Sequence, residues 1–149
     1  MFFDEETLLD LRLNIMDKYV DKFVITESTY MHSGKQKKLI FDINNFSQFK
    51  DKIIYIVVDK PPPDLIKFSD NDSQDTKKSK MIDNAKKREM FQINKTQDGL
   101  INANQDDMII ISDIDEIPNL EKINLKENKK KLIFFKQKMF YYKFNLHYK

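Results

Sequence analysis

The 149-residue chain has no cysteine and no tryptophan, only two glycines (Gly34 and Gly99), and only two histidines (His32 and His147). Without cysteine there are no disulfides, no iron–sulfur clusters and no thiol catalysis. Two histidines unaided do not make an ordinary zinc site. Two isolated glycines rule out a Gly-rich phosphate cradle of the P-loop or dinucleotide type, so a bound diphosphate would have to be held by a metal and basic side chains. No apolar run approaches the roughly 20 residues of a membrane span. The first residues also lack a basic segment followed by an apolar core. The expectation is a soluble, cytoplasmic chain with no transmembrane segment. An excess of one charge is missing too: 26 basic residues face 24 acidic ones, for a net charge of +2. Nucleic-acid binders concentrate basic charge on one face. The short lysine runs at 35–38 and 129–131 read instead as solvated surface, and no nucleic-acid partner is expected.

What is present is polarity with patterned apolar segments. Charged residues make up 34% of the chain and hydrophobic ones 40%, against a usual charged share of about 25%. The length suits one domain, residues 1–149, with a real core. Residues 5–20 carry two adjacent apolar rows, Leu8, Leu11, Ile15, Tyr19 and Leu9, Leu13, Met16, Val20, the stripe of an amphipathic helix. Lys22–Glu27 reads as a strand ending in a carboxylate. Residues 51–58 read as a second strand, apolar enough to be buried on both faces as parallel strands are. Pro61-Pro62-Pro63 closes it. Residues 64–80 read as a long loop or lid, 80–101 as a helix, and 119–126 as a short helix or turn. Leu132–Phe135 and Met139–Phe144 read as two further strands. Strands alternating with helices indicate an α/β fold with ligands at the carboxyl ends of its strands.

The most informative stretch is Met108-Ile-Ile-Ile-Ser-Asp-Ile-Asp-Glu-Ile-Pro118. It reads as a buried strand delivering Asp113, Asp115 and Glu116 into a loop. Strand alternation points Asp113 and Asp115 the same way and Ile114 back to the core. Two such carboxylates repel each other unless a cation lies between them. Hard oxygen ligands suit Mg²⁺ or Mn²⁺, which implies divalent-metal chemistry on a phosphate-bearing ligand. An aspartate-based, Mg²⁺-dependent phosphotransferase uses a similar strand end, but here Glu116 follows the second aspartate.

Four ordered blocks resemble glycosyltransferase family 17, the β-1,4-mannosyl-glycoprotein N-acetylglucosaminyltransferase type. They are Phe2–Glu5 with Leu8–Leu13; Val20–Ser28 leading into His32-Ser33-Gly34-Lys35; Asp51–Tyr55; and Asp107–Pro118 with the aromatic stretch at 140–145 behind it. The resemblance implies a GT-A-like, mostly parallel sheet flanked by helices, and an inverting glycosyltransferase. The donor would be a UDP-sugar (UDP-N-acetylglucosamine in the characterised branch) and the acceptor a glycan or glycoconjugate. It also implies that Asp113 and Asp115 hold Mn²⁺ or Mg²⁺ against the donor diphosphate. Glu27 and Glu116 are the candidates for the catalytic base. Glu5, Arg12, His32 and Arg88 are the candidates for donor binding, with Arg88 or Lys87 standing in where Ile93 replaces the family's usual arginine. Phe2-Phe3 reads as the tail of a first strand, and nothing closes the fold before Lys149. The chain therefore reads as shorter than its fold, and a truncated transferase without turnover is the alternative.

Overall fold

Residues 1–124, 127, 130–141 and 146–148 are described by a computed structural model. Helix α1 spans Glu6–Met16. Of its two apolar rows, one is buried: Leu9, Leu13 and Met16, at helical spacing, enter the core, while Leu11 and Ile15 stay exposed. The helix stops short of the expected residue 20, and the chain turns there. The Lys52 ammonium takes the carbonyls of Asp17 (2.7 Å) and Val20 (3.1 Å).

Strand β1, Phe23–Ser28, pairs in parallel with β2, Ile53–Val58, from Phe23 opposite Ile53 to Ser28 opposite Val58. Phe23 and Ile25 join the α1 row in the core, together with Phe46 and Phe49 from a 3-10 segment, Ile43–Phe49, that the sequence reading left out. On the opposite face of β1, Val24 lies so close to Gly99 that a β-carbon there would come within 2.6 Å of it. β2 is half-buried rather than covered on both faces: among the described residues it has a strand on one side only, and Val57 is 40% exposed. Phe2 bridges Glu27 in parallel, its N–H donating to the Thr26 carbonyl at 2.9 Å, so the expected first-strand tail is there as a single rung.

Helix α2 runs Gln74–Lys95, earlier than the expected 80–101. Its start is set by Ser73, whose hydroxyl accepts the Thr76 amide at 3.2 Å, a cap of the usual kind. Few apolar residues mark this turn, which is why periodicity missed it. The expected lid over 64–80 is accordingly shorter and tied down. Buried Asn84 exchanges two hydrogen bonds with the Ile66 backbone (2.7 and 2.9 Å). Lys80 pairs with Asp72 at 2.6 Å, and Lys87 with Asp64.

The expected strand at 108–112 forms no ladder, and Met108, Ile109 and Ile111 are exposed. Its natural neighbour would be the Phe2 strand, which is one rung long and too short to template another. Short turns follow, with a 3-10 segment at Leu120–Lys122. Residues 132–135 form no strand. β3, Met139–Tyr141, pairs antiparallel with β4, Leu146–Tyr148. The part of the expected 139–144 strand beyond Tyr141 lies outside the described residues. The architecture is α/β, with helices packed on a small parallel sheet. Among the described residues no helix is long and apolar enough to cross a membrane.

Candidate functional site

A cleft of about 570 Å³ opens where the Phe2 rung, the loop after β1, α2 and the aspartate turn converge. Its lining includes Phe3, Glu5, Tyr30, His32, Lys37, Glu89, Gln92, Asp113 and Asp115. Asp113 and Asp115 are exposed, while Ile114 between them is half-buried against the core. The two carboxylates reach the cleft from a turn rather than from the end of a strand, and Ile114 lines the same cleft while packing on the core, so the strand alternation expected from the sequence does not apply here.

The turn that carries these carboxylates is closed by its own polar groups. The Glu116 amide donates to the Asp113 carbonyl at 3.1 Å. The Asp113 amide donates to Glu116 Oε2 at 3.3 Å, and Ser112 Oγ donates to the Glu116 carbonyl at 3.1 Å. Arg12 reaches in from α1, donating to the Asp113 carbonyl (2.8 Å), the Glu116 carbonyl (3.0 Å) and Ser112 Oγ (2.7 Å). Burial lowers the Arg12 pKa, and the charges of Glu116, Asp113 and Asp115 oppose that. A guanidinium stays cationic under any such shift.

Glu27 is fully buried, and four donors cover its carboxylate. Lys37 Nζ lies at 2.5 Å, the Tyr55 hydroxyl at 2.7 Å, and the Ile40 and Phe41 amides at 3.0 and 3.1 Å. Burial alone would raise its pKa. The Lys37 ammonium, the Tyr55 hydroxyl and the two amides outweigh it, and the net direction is down. For Tyr55, burial and donation to Glu27 both drive the phenol upward, strongly.

The loop after β1 doubles back, with Tyr30 bridged to Gln36, and puts His32 at the cleft wall. Gly34 turns it at φ 88°. Arg88, from α2, donates to the His32 carbonyl at 3.0 Å, and its guanidinium lies over Gly34. Glu5 lines the cleft, but Oε2 accepts the Phe3 and Asp4 amides at 3.0 and 3.2 Å. Of the expected site residues, Asp113, Asp115, Glu5 and His32 thus meet at the cleft. Arg12 and Arg88 stand behind it, holding backbone. Glu116 is folded into its turn and Glu27 is sealed in the sheet.

Sequence reasoning missed Lys37, Gln92 and Glu89. Lys37 looked like one of a solvated run, yet its side chain is 8% exposed. Glu89 sits in a helix with weak apolar periodicity. Its carboxylate has no hydrogen-bond or ion-pair partner among the described residues.

Could the turn hold a divalent cation? Among the described residues no three His, Asp or Glu side chains gather in a metal-ligating group. Asp113 and Asp115 supply hard oxygens on an exposed turn at a cleft. Mg²⁺-type ions are commonly bound by one or two carboxylates, with ligand phosphates and water completing the shell. The donor set fits that mode and does not fit an all-protein cage.

The family model of glycosyltransferase family 17 matches residues 1–149, the whole chain. No curated protein and no solved structure matches it.

Proposed function

The chain belongs to glycosyltransferase family 17, and from that premise we propose that it transfers a sugar, N-acetylglucosamine, from a UDP-sugar to a glycan or glycoconjugate acceptor with inversion. Family membership favours glycosyl transfer over aspartate-based phosphotransfer. The observation that carries the reading is the pair of exposed carboxylates, Asp113 and Asp115, held at the mouth of a cleft of suitable size for a nucleotide-sugar. The scaffold proposed is GT-A-like, and β1 paired in parallel with β2 supports it.

Asp113 and Asp115 are the residues that would hold Mn²⁺ or Mg²⁺. When bound, such an ion supplies charge neutralisation at the leaving diphosphate. Phe3, Tyr30 and His32 shape the cleft wall that would receive the donor. In the transfer, the acceptor oxygen bonds to the anomeric carbon as the bond to the diphosphate oxygen breaks, and UDP departs. The acceptor proton must pass to a base within reach. Glu27 is unsuited to that task, because its carboxylate is covered and its proton affinity is depressed. Glu116 is occupied in its own turn. Glu89, on the cleft and without a partner among the described residues, is the side chain we assign to the proton.

Calorimetry tests the donor site. UDP-N-acetylglucosamine should bind the native chain in the presence of Mn²⁺ and not bind the Asp113→Ala, Asp115→Ala double variant. Absence of donor heat in the native chain, or equal heat in the variant, would falsify this reading.

A further inference from the structure

We propose that Arg12 is the positioning residue of the metal-binding turn, fixing where Asp113 and Asp115 stand without touching the cation itself. The inference rests on the donor-site reading above and extends it to a residue over a hundred positions away in the chain.

Three features of the geometry carry it. First, the guanidinium spends three donor contacts on a single turn, at 2.7–3.0 Å, bonding two main-chain carbonyls and one hydroxyl. None of these goes to a carboxylate oxygen. Asp113 and Asp115 are held by their backbone and keep their side-chain oxygens open toward the cleft. A guanidinium that paired with the carboxylates directly would compete with a metal, whereas this one does not.

Second, the support is needed. Residues 108–112 have no strand partner, so no ladder sets the height or direction of the turn. The segment is held instead by packing of Ile110, Ile114, Ile117 and buried Pro118 and Leu120, by the turn's own hydrogen bonds, and by Arg12, the side chain that ties the turn to α1. Arg12 grows from the edge of the row formed by Leu9, Leu13 and Met16, three residues before it, one after and four after, which is locked in the core. The rigid end of the tether is thus α1, and the loose end is the turn. A catalytic constellation held by side chains that are themselves locked is what precise placement requires.

Third, the charge reaches the carboxylates of the turn. Arg12 lies close enough to Glu116, Asp113 and Asp115 for its charge to interact with each of them. That same charge works against a bound cation. Geometry and charge therefore act in opposite directions on metal affinity, and a lysine separates them. Lys keeps the charge but lacks the planar fork that spans three acceptors at once.

The test uses the whole chain with Mn²⁺ and UDP, reading bound Mn²⁺ by electron paramagnetic resonance, with a thermal melt of each variant as a check on folding. Arg12→Lys should weaken Mn²⁺–UDP binding by about ten-fold, the order expected for lost charge-assisted bonds. Ser112→Ala, which removes one Arg12 acceptor along with the Ser112–Glu116 bond inside the turn, should weaken it by a smaller factor, and by less in an Arg12→Lys background than in the native one, which keeps the test open if the Arg12 variant folds poorly. Equal Mn²⁺ affinity in native, Arg12→Lys and Ser112→Ala chains overturns the positioning role. So does tighter binding in Arg12→Gln with Arg12→Lys unchanged, which would make Arg12 a charge alone. No bound Mn²⁺ in the native chain overturns the metal reading itself, and this role with it.

Discussion

Two glutamates show how much a residue's role depends on what surrounds its carboxylate. Glu27 is fully buried and has gained four donors; Glu89 lines an open cleft and has gained none among the described residues. The first is architecture: it fastens Lys37 and the 40–41 backbone to β1. Removing one member of a buried ion pair strands the other charge, at a cost of about 3–5 kcal/mol. Lys37→Met should therefore lower stability in urea by that order at neutral pH, and a loss below about 1 kcal/mol would reject the assignment. The pH dependence has a definite sign. Glu27 binds its proton less tightly folded than unfolded, so its contribution is complete above the ordinary carboxylate range. It is lost as pH falls through that range toward the depressed value. Glu27→Gln should flatten this acid limb, and an unchanged limb would refute it. Glu89→Gln should leave stability alone and slow transfer by about a hundred-fold or more, with donor KM little changed. Normal turnover in that variant would return the base to another group. A strand-end carboxylate in need of a partner was legible at Glu27. Its partner was not, because Lys37 sits in a loop whose path only the folded chain defines.

The elements read from sequence are those whose signal is local. The α1 stripe and the β1 and β2 runs contain their own periodicity, and each formed within a few residues of expectation. The segments that differ depend on distant partners. Residues 108–112 have the β-branched composition of a buried strand, but a strand exists only as one side of a ladder, and Phe2 offers a single rung. The start of α2 depended instead on one hydroxyl, that of Ser73, amid charged residues. The loop between β1 and the Ile43–Phe49 turn shows a third kind of determinant, a single backbone angle. Gly34 turns at φ 88°, where a β-carbon is disfavoured by about 1–2 kcal/mol. The Arg88 guanidinium would also lie 2.7 Å from that carbon, though a flexible side chain can withdraw. Gly34→Ala should thus cost about 1–2 kcal/mol and loosen the His32 wall. Amide exchange over residues 31–37 should quicken, while exchange in β1 and β2 stays slow. Unchanged protection of the loop would mean that Arg88, rather than the glycine turn, sets its shape.

At the scale of the molecule, the site is assembled from pieces far apart in sequence. The turn at 112–116 is held by α1, the His32 wall by α2, and the floor by the Phe2 rung on β1. The aspartate motif could be read directly, since two carboxylates around one isoleucine at the end of an apolar run are a local pattern. The brackets of the site, Arg12 on the aspartate turn and Arg88 on the His32 loop, read from sequence as charges for a ligand, because nothing in a sequence tells a backbone acceptor from a phosphate. A site built this way links ligand binding to global stability, since whatever bridges its parts binds the folded chain alone. Mn²⁺ with a UDP-sugar at a hundred times its dissociation constant should add about 2.7 kcal/mol. For a chain of this length that is a rise of roughly 5–10 °C in the melting temperature. A chelator should reverse the rise, and the Asp113→Ala, Asp115→Ala variant should show none of it while melting close to the native chain without ligand. A variant that melts far below the native chain would show instead that the two aspartates maintain the fold. A native chain whose melting does not respond to metal and donor together would separate this fold from the ligand proposed for it.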